Sequence, residues 1–383
     1  MIFYLEISPI IFVCIHFMEF FLNNTLISFR DWVNHARIDS NEKREDHMTD
    51  KNYFNQIVHG DATDKDVKYY KAVDWNRVED AIDKQTWEKL TSQFWLDTRV
   101  PVSNDRKDWR QLTPEERDVV NKAFVGLTML DTLQSEEGAN VMRDHVRTQH
   151  EEAVLNNILF MESVHAKSYS TIFISLNESQ EIDEIFEWGD TNERLQYKAE
   201  VINDIYQNGN ALQIKIASVF LETYLFYSGF FTPLWYLGND RLVNVAEIIK
   251  LIIRDESVHG TYIGYKFQLA YQELSEDEQY ELTMWMYDLL EKLMDNEDKY
   301  AEEVYDQVGW TEEVKVFIRY NANKALQNLG FPALYDEGTA ENVNPIVMNG
   351  LSTDTTNHDF FSQVGSGYLM GEAEAMDDDD YDF

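Results

Sequence analysis

The chain has 383 residues, 44% of them hydrophobic, with six prolines and 16 glycines; this suits one large helical core and excludes a loop-rich β architecture. A formal net charge of −38 would repel a phosphate backbone and excludes nucleic acid as a partner. The single cysteine, Cys14, excludes a disulfide framework within the chain, as suits a reducing cytoplasm, and leaves any thiol chemistry to a partner.

Residues 1–29 are apolar but interrupted by Glu6, Pro9, His16 and Glu19, and the first basic residue is Arg30. A signal peptide would carry a basic start, and a membrane span about 20 clean apolar residues, so neither is expected. Residues 1–47 read as an atypical extension, either disordered or the product of a start codon upstream of Met48. Residues 48–75 are polar and irregular. From Asp74 apolar residues recur at helical spacing until near Pro101. The next helix opens at Thr113-Pro114-Glu115-Glu116, an N-cap with proline at N1 and glutamate at N3, and runs through Gln134. Further helices are predicted at roughly 149–175, 191–207, 210–232 and 243–273 from the same periodicity. A second capping box at Ser275 to Glu278 starts a helix reaching about Val308, and a last one runs from Thr311 to a C′ glycine at Gly330. These elements make 76–335 one all-α domain. Residues 336–383 are polar, end in four consecutive aspartates at 377–380, and read as a flexible acidic tail. Its aromatic residues suggest a peptide that docks on a partner.

Within the helical body lie two Glu-x-x-His pairs, Glu162 with His165 and Glu256 with His259, and two single carboxylates in apolar runs, Asp131 and Glu222. At about 100° per residue, i and i+3 share a helix face, so each pair aims a carboxylate and an imidazole at one point. One such pair is weak evidence in so acidic a chain. The apolar context decides, because an unpaired buried carboxylate costs several kcal/mol or takes up a proton. Four carboxylates and two imidazoles suit two adjacent divalent cations inside a helical bundle. The oxygen-rich set favours iron or manganese over zinc. Tyr169, seven residues after Glu162, stands on the same stripe. Phe226 and Phe230, four and eight residues after Glu222, and Ile252, four before Glu256, would wall it with hydrocarbon.

These residues sit in segments that resemble the small, radical-generating subunit of class Ib ribonucleotide reductase over residues 68–383: FWLDTRVPVSND, GLTMLDTLQ, HEEAVLNNILFMESVHAKSYS, FLETYLFYSGF and IIRDESVHGTYIGYK. The resemblance implies a ferritin-like helical bundle in which Asp131, Glu162 and His165 hold one metal and Glu222, Glu256 and His259 the other. Tyr169 would carry a stable tyrosyl radical. Trp95, Asp255 and His165 would form a path from the surface to the metals, and Tyr368 a relay between subunits. The implied reaction is radical supply for reducing ribonucleoside diphosphates, with substrate and reactive cysteines on a large subunit. The tail would dock there through Tyr381 and Phe383. The resemblance further implies a homodimer with two manganese or two iron ions per chain, manganese being oxidised with the help of a flavodoxin-like activator. The nearest competing reading is another ferritin-like protein, a di-iron oxygenase or ferroxidase, with the same ligands but no radical at Tyr169 and no role for the tail. A non-catalytic acidic scaffold would instead place its carboxylates on polar faces.

Overall fold

The structure is a computed structural model that describes residues 72–351. The extension 1–47, most of the segment 48–75, and Tyr368, Tyr381 and Phe383 therefore lie outside the described residues.

Among the described residues every regular element is helical. Helix α1 (Ala81–Ser92) leads through two short 3₁₀ turns to α2 (Arg106–Trp109) and α3 (Pro114–Leu133). A π-helical turn, Gln134–Gly138, joins α3 to α4 (Ala139–Arg143), and α5 (Gln149–Leu176) follows. Next come α6 (Ser179–Thr191), α7 (Glu193–Asn208) and α8 (Ala211–Phe220). A second π-turn, Leu221–Leu225, leads to α9 (Tyr227–Gly238). Then α10 (Val243–Tyr271), α11 (Glu276–Tyr305), α12 (Thr311–Asn328) and α13 (Pro345–Leu351) complete the order.

Five of these, with α8 and α9 joined through the second π-turn as one wall, form the ring that matters for function. Helix α3 packs on α5, α5 on α10, α10 on α8 and α9, and α9 back on α3. The reason lies in their faces: α8 and α9 are buried almost all round, while α5 and α10 bury one broad stripe each. Helices α7, α11 and α12 cover this ring from outside. No helix among the described residues is long and apolar enough to cross a membrane.

The helix ends follow their sequence signals closely. Thr113 accepts from Glu116 N while Glu116 reaches back to Thr113 N at 2.7 Å, and Ser275 and Glu278 repeat the arrangement. Gly330 at φ 85° ends α12, with Phe331 N donating to Leu326 O at 2.8 Å in a six-to-one closure. Other expectations need correction. Helix α1 begins at Ala81, capped by Asp80, rather than near Asp74. Residues left without an element before 191 form α6, and Asn192 breaks the chain by accepting from Arg194 N and Leu195 N to start α7. The helix expected to stop before Pro233 continues to Gly238. The tail boundary at 336 also falls too early, because residues 336–351 are packed. Asn323 donates to Tyr335 O and Gly338 O and accepts from Leu334 N and Tyr335 N. Val343 and Val347 are buried, and α13 lies on α9.

Candidate metal centre

Each wall of the ring contributes. Asp131 stands in the last turn of α3; Glu162, His165 and Tyr169 share one stripe of α5. Glu222 sits in the second π-turn, and Asp255, Glu256 and His259 lie on α10. The structure brings all six candidate ligands together, each 0% exposed. Their donor atoms form two overlapping groups, Asp131, Glu162, His165, Glu256 and Glu162, Glu222, Glu256, His259, with atoms within 4.8 Å of one another in each.

Glu162 and Glu256 belong to both groups, and the distances explain why. His165 Nδ1 lies 3.2 Å from Glu162 Oε2 and 2.9 Å from Glu256 Oε1. His259 Nδ1 lies 2.7 Å from Glu162 Oε1 and 3.3 Å from Glu256 Oε2. Each of these carboxylates thus presents one oxygen to either imidazole. Asp131 serves only the His165 side, at 4.0 Å, and Glu222 only the His259 side, at 3.5 Å.

So many buried charges need compensation. Burial, then the charges of Glu256 and Glu162, push the Asp131 carboxyl well above its ordinary range. Glu222 is raised by burial and by the charges of Glu162 and Glu256. Burial also acts against ionised Glu256, but the adjoining Glu222 carboxyl and the neighbouring His165 outweigh it and keep it well below the carboxylate range. Burial lowers both imidazoles, yet Glu256 beside His165 and Glu162 beside His259 more than reverse this. Both oxygens of Asp131 and of Glu256, one each of Glu162 and Glu222, and both His259 nitrogens make no hydrogen bond. Buried polar atoms are rarely left so. An inward-facing set of hard oxygens and imidazoles without partners fits two divalent cations, which would neutralise four carboxylates charge for charge.

Tyr169 is fully buried in the same core, and its hydroxyl has no hydrogen-bond partner. Burial first, then the charges of Asp131 and Glu256, raise its phenol well above the ordinary value, so it stays protonated. Phe226, Phe230 and Ile252 are all fully buried, the two phenylalanine rings 6.0 Å apart. The ring within reach of Tyr169 that sequence reasoning missed is Phe124, at 5.9 Å. It precedes Asp131 by seven residues on one face of α3, so its spacing was a usable signal.

Trp95 lies in the extended link after α1 and is 2% exposed. Its Nε1 donates to Asp255 Oδ2 at 2.7 Å, and the same oxygen lies 3.2 Å from His165 Nε2. The indole and imidazole rings stack at 5.8 Å. Arg254 holds the far oxygen of Asp255 at 3.4 Å and ties it to Gln93 O. Sequence reasoning also missed a buried amide, Gln134, which donates to Glu222 Oε1 at 2.5 Å and to Ser218 Oγ at 2.8 Å, and accepts from Tyr206 OH at 2.6 Å.

A buried carboxylate and imidazole cluster that could hold two metals, inside a four-walled ring of helices, defines a ferritin-like di-metal protein. Residues 72–345 match the family "Ribonucleotide reductase, small chain". A ribonucleoside-diphosphate reductase subunit beta of Mycobacterium tuberculosis, nrdF2, is 49% identical over 82% of this chain and 96% of its own length. The subunit beta of ribonucleoside-diphosphate reductase 2 of Escherichia coli K12 is 47% identical over 82% and 98%. The crystal structure of dimanganese(II)-NrdF from Streptococcus sanguinis is 70% identical, with a TM-score of 0.73, covering 74% of this chain and all of that one. The chain belongs to the ribonucleotide reductase small-chain family, as a class Ib beta subunit of ribonucleoside-diphosphate reductase.

Proposed function

We propose that the chain generates a tyrosyl radical at Tyr169 and relays its oxidising power to a large subunit that reduces ribonucleoside diphosphates. The observation that carries this reading is the convergence of six buried candidate ligands, most of their oxygens unpartnered, beside a buried tyrosine and a tryptophan–carboxylate–imidazole chain. Asp131, Glu162 and His165 would hold one metal and Glu222, Glu256 and His259 the other, with Glu162 and Glu256 facing both imidazoles. When bound and charged by an oxygen-derived oxidant, the metal pair supplies the one-electron oxidising power.

The protein's own residues do the rest. Tyr169 stays a neutral phenol until oxidised, so its Oη proton leaves together with the electron. The surrounding hydrocarbon, to which Phe226, Phe230 and Ile252 would contribute, keeps water and reductants from the radical. Asp255 holds the His165 ring through Nε2 and stands ready at Oδ2 to take the Nε1 proton of an oxidised Trp95. We assign Tyr368 as the relay beyond Trp95, and Tyr381 and Phe383 as the anchor on the large subunit. Manganese is the metal we favour, since the 70%-identical Streptococcus sanguinis structure is the dimanganese(II) protein. A flavodoxin-like activator would then provide the oxidant, whereas two iron ions would assemble with oxygen directly. The working form is a homodimer in the cytoplasm, to which a chain with one cysteine is suited.

The test is reconstitution with manganese or iron followed by EPR. The native chain should show a tyrosyl signal, and Tyr169→Phe should lose it while keeping two metals. A signal that persists in Tyr169→Phe places the radical elsewhere.

A further inference from the structure

The two imidazoles of the centre are steered differently. His165 is held through its second nitrogen, Nε2, which lies 3.2 Å from Asp255. His259 has no such support, because its Nε2 is buried without a hydrogen bond. On that side of the centre, orientation has to come from another ligand, and the one with an outer partner is Glu222.

That partner is Gln134, whose side chain is fully buried and bonded at both ends. Tyr206 donates to its Oε1 at 2.6 Å, and the amide nitrogen donates to Glu222 Oε1 at 2.5 Å and to Ser218 Oγ at 2.8 Å. Burial, then the charge of Glu222, keeps the Tyr206 phenol protonated and able to donate. The donation fixes which way the amide points: a flipped Gln134 would set its oxygen against the Glu222 carboxylate. The backbone is shaped around this side chain. Gln134 opens the π-turn that Gly138 closes, and a Cβ on Gly138 would come 2.0 Å from Gln134 Oε1 and 2.9 Å from the Tyr206 ring. Glu222 lies in the other π-turn, so both irregular turns of the ring meet at this contact.

We infer that Gln134, locked by Tyr206 and cradled by Gly138, is the positioning residue for Glu222. It occupies Oε1 and leaves Oε2, the oxygen 3.5 Å from His259 Nδ1, for the metal beside His259. The inference rests on the dinuclear reading above and adds an asymmetry to it. One metal is steered through an imidazole, the other through a carboxylate, so removing Gln134 weakens one metal and spares its neighbour.

The experiment is a Mn(II) titration of the full chain, following free Mn(II) and the coupled pair by EPR, in the native protein, Gln134→Leu, Gly138→Ala and Tyr206→Phe. The native chain should take two ions. In Gln134→Leu one ion should bind as in the native chain, while the dissociation constant of the other rises about 10–100-fold and the coupled signal fades at matched metal. Gly138→Ala, which removes no polar group, should give the same pattern by displacing the amide. Tyr206→Phe should give a weaker version, and it carries the test if Gln134→Leu does not fold. Native affinity for both ions in Gln134→Leu and Tyr206→Phe overturns the inference, as does equal weakening of both ions. A native chain that takes up no pair of ions sinks the dinuclear reading itself, and is read before any variant.

Discussion

Asp255 is the side chain on which two functions meet. One of its oxygens receives the Trp95 indole and faces His165 Nε2, so a single carboxylate orients a candidate ligand and accepts the tryptophan's hydrogen bond. Asp255→Asn keeps the shape but sets an amide against two N–H groups. Normalised to the Tyr169 EPR signal, turnover with the large subunit should fall about 10–100-fold, beyond any loss of that signal from a less well-held His165. Turnover at the native rate would remove Asp255 from the path. At this scale much was legible in the sequence. The six candidate ligands stand out because charged residues in apolar helical runs, four of them in i, i+3 pairs, have few structural explanations. Gln134 and Tyr206 did not stand out, since neutral side chains in a core carry no mark of what they touch. Gln134 follows Asp131 by three residues, and only the fold reveals that it faces Glu222 across the ring.

Among the elements, α1 is held to α10 by a buried ion cluster, and that contact sets where the Trp95 segment begins. Lys266 of α10 lies 2.6 Å from Asp80 and 2.5 Å from Asp83, and Asp83 also accepts from Tyr262 OH at 2.8 Å and Thr148 Oγ1 at 3.1 Å. Lys266→Met leaves the fully buried Asp83 without its cation and should destabilise the fold by about 3 kcal/mol in a denaturant titration. The sign of the pH effect follows from the same site. Burial lowers the Lys266 ammonium, but Glu151 and Asp83 outweigh it and raise its pKa above the ordinary lysine value. Its stabilisation is therefore complete below that ordinary value and is lost as pH rises through the folded-state value. Lys266→Met should flatten this alkaline loss; an unchanged alkaline slope would show that the cluster does not couple to folding. Capping boxes and the C′ glycine were readable because they are local chemistry. Both π-turns escaped notice, since their residues continue a helical pattern and the extra residue per turn is imposed by packing. The stretch 336–351 looked like tail because two buried valines and a side-chain cap from Asn323 are too sparse to register as a core.

For the molecule as a whole, the ring of α3, α5, α10 and the α8–α9 pair turns an electrostatic liability into a site. Four carboxylates in one dry core would oppose folding, and two divalent cations reverse that balance. Metal binding to the native chain alone must also stabilise it. Stripping the protein with a chelator should lower its melting temperature, and Mn(II) should restore it; identical melting curves would mean the core is complete without metal. The ring was implicit in the spacing of the ligands, whereas the break at Asn192 and the packing of α13 on α9 became visible only in three dimensions. The most direct measurement is a crystal grown with Mn(II) and recorded at the manganese absorption edge. Two anomalous peaks about 3.5–4 Å apart, enclosed by Asp131, Glu162, His165, Glu222, Glu256 and His259, are the predicted result. Absence of density among those six side chains, with manganese found only at the surface, would contradict the account.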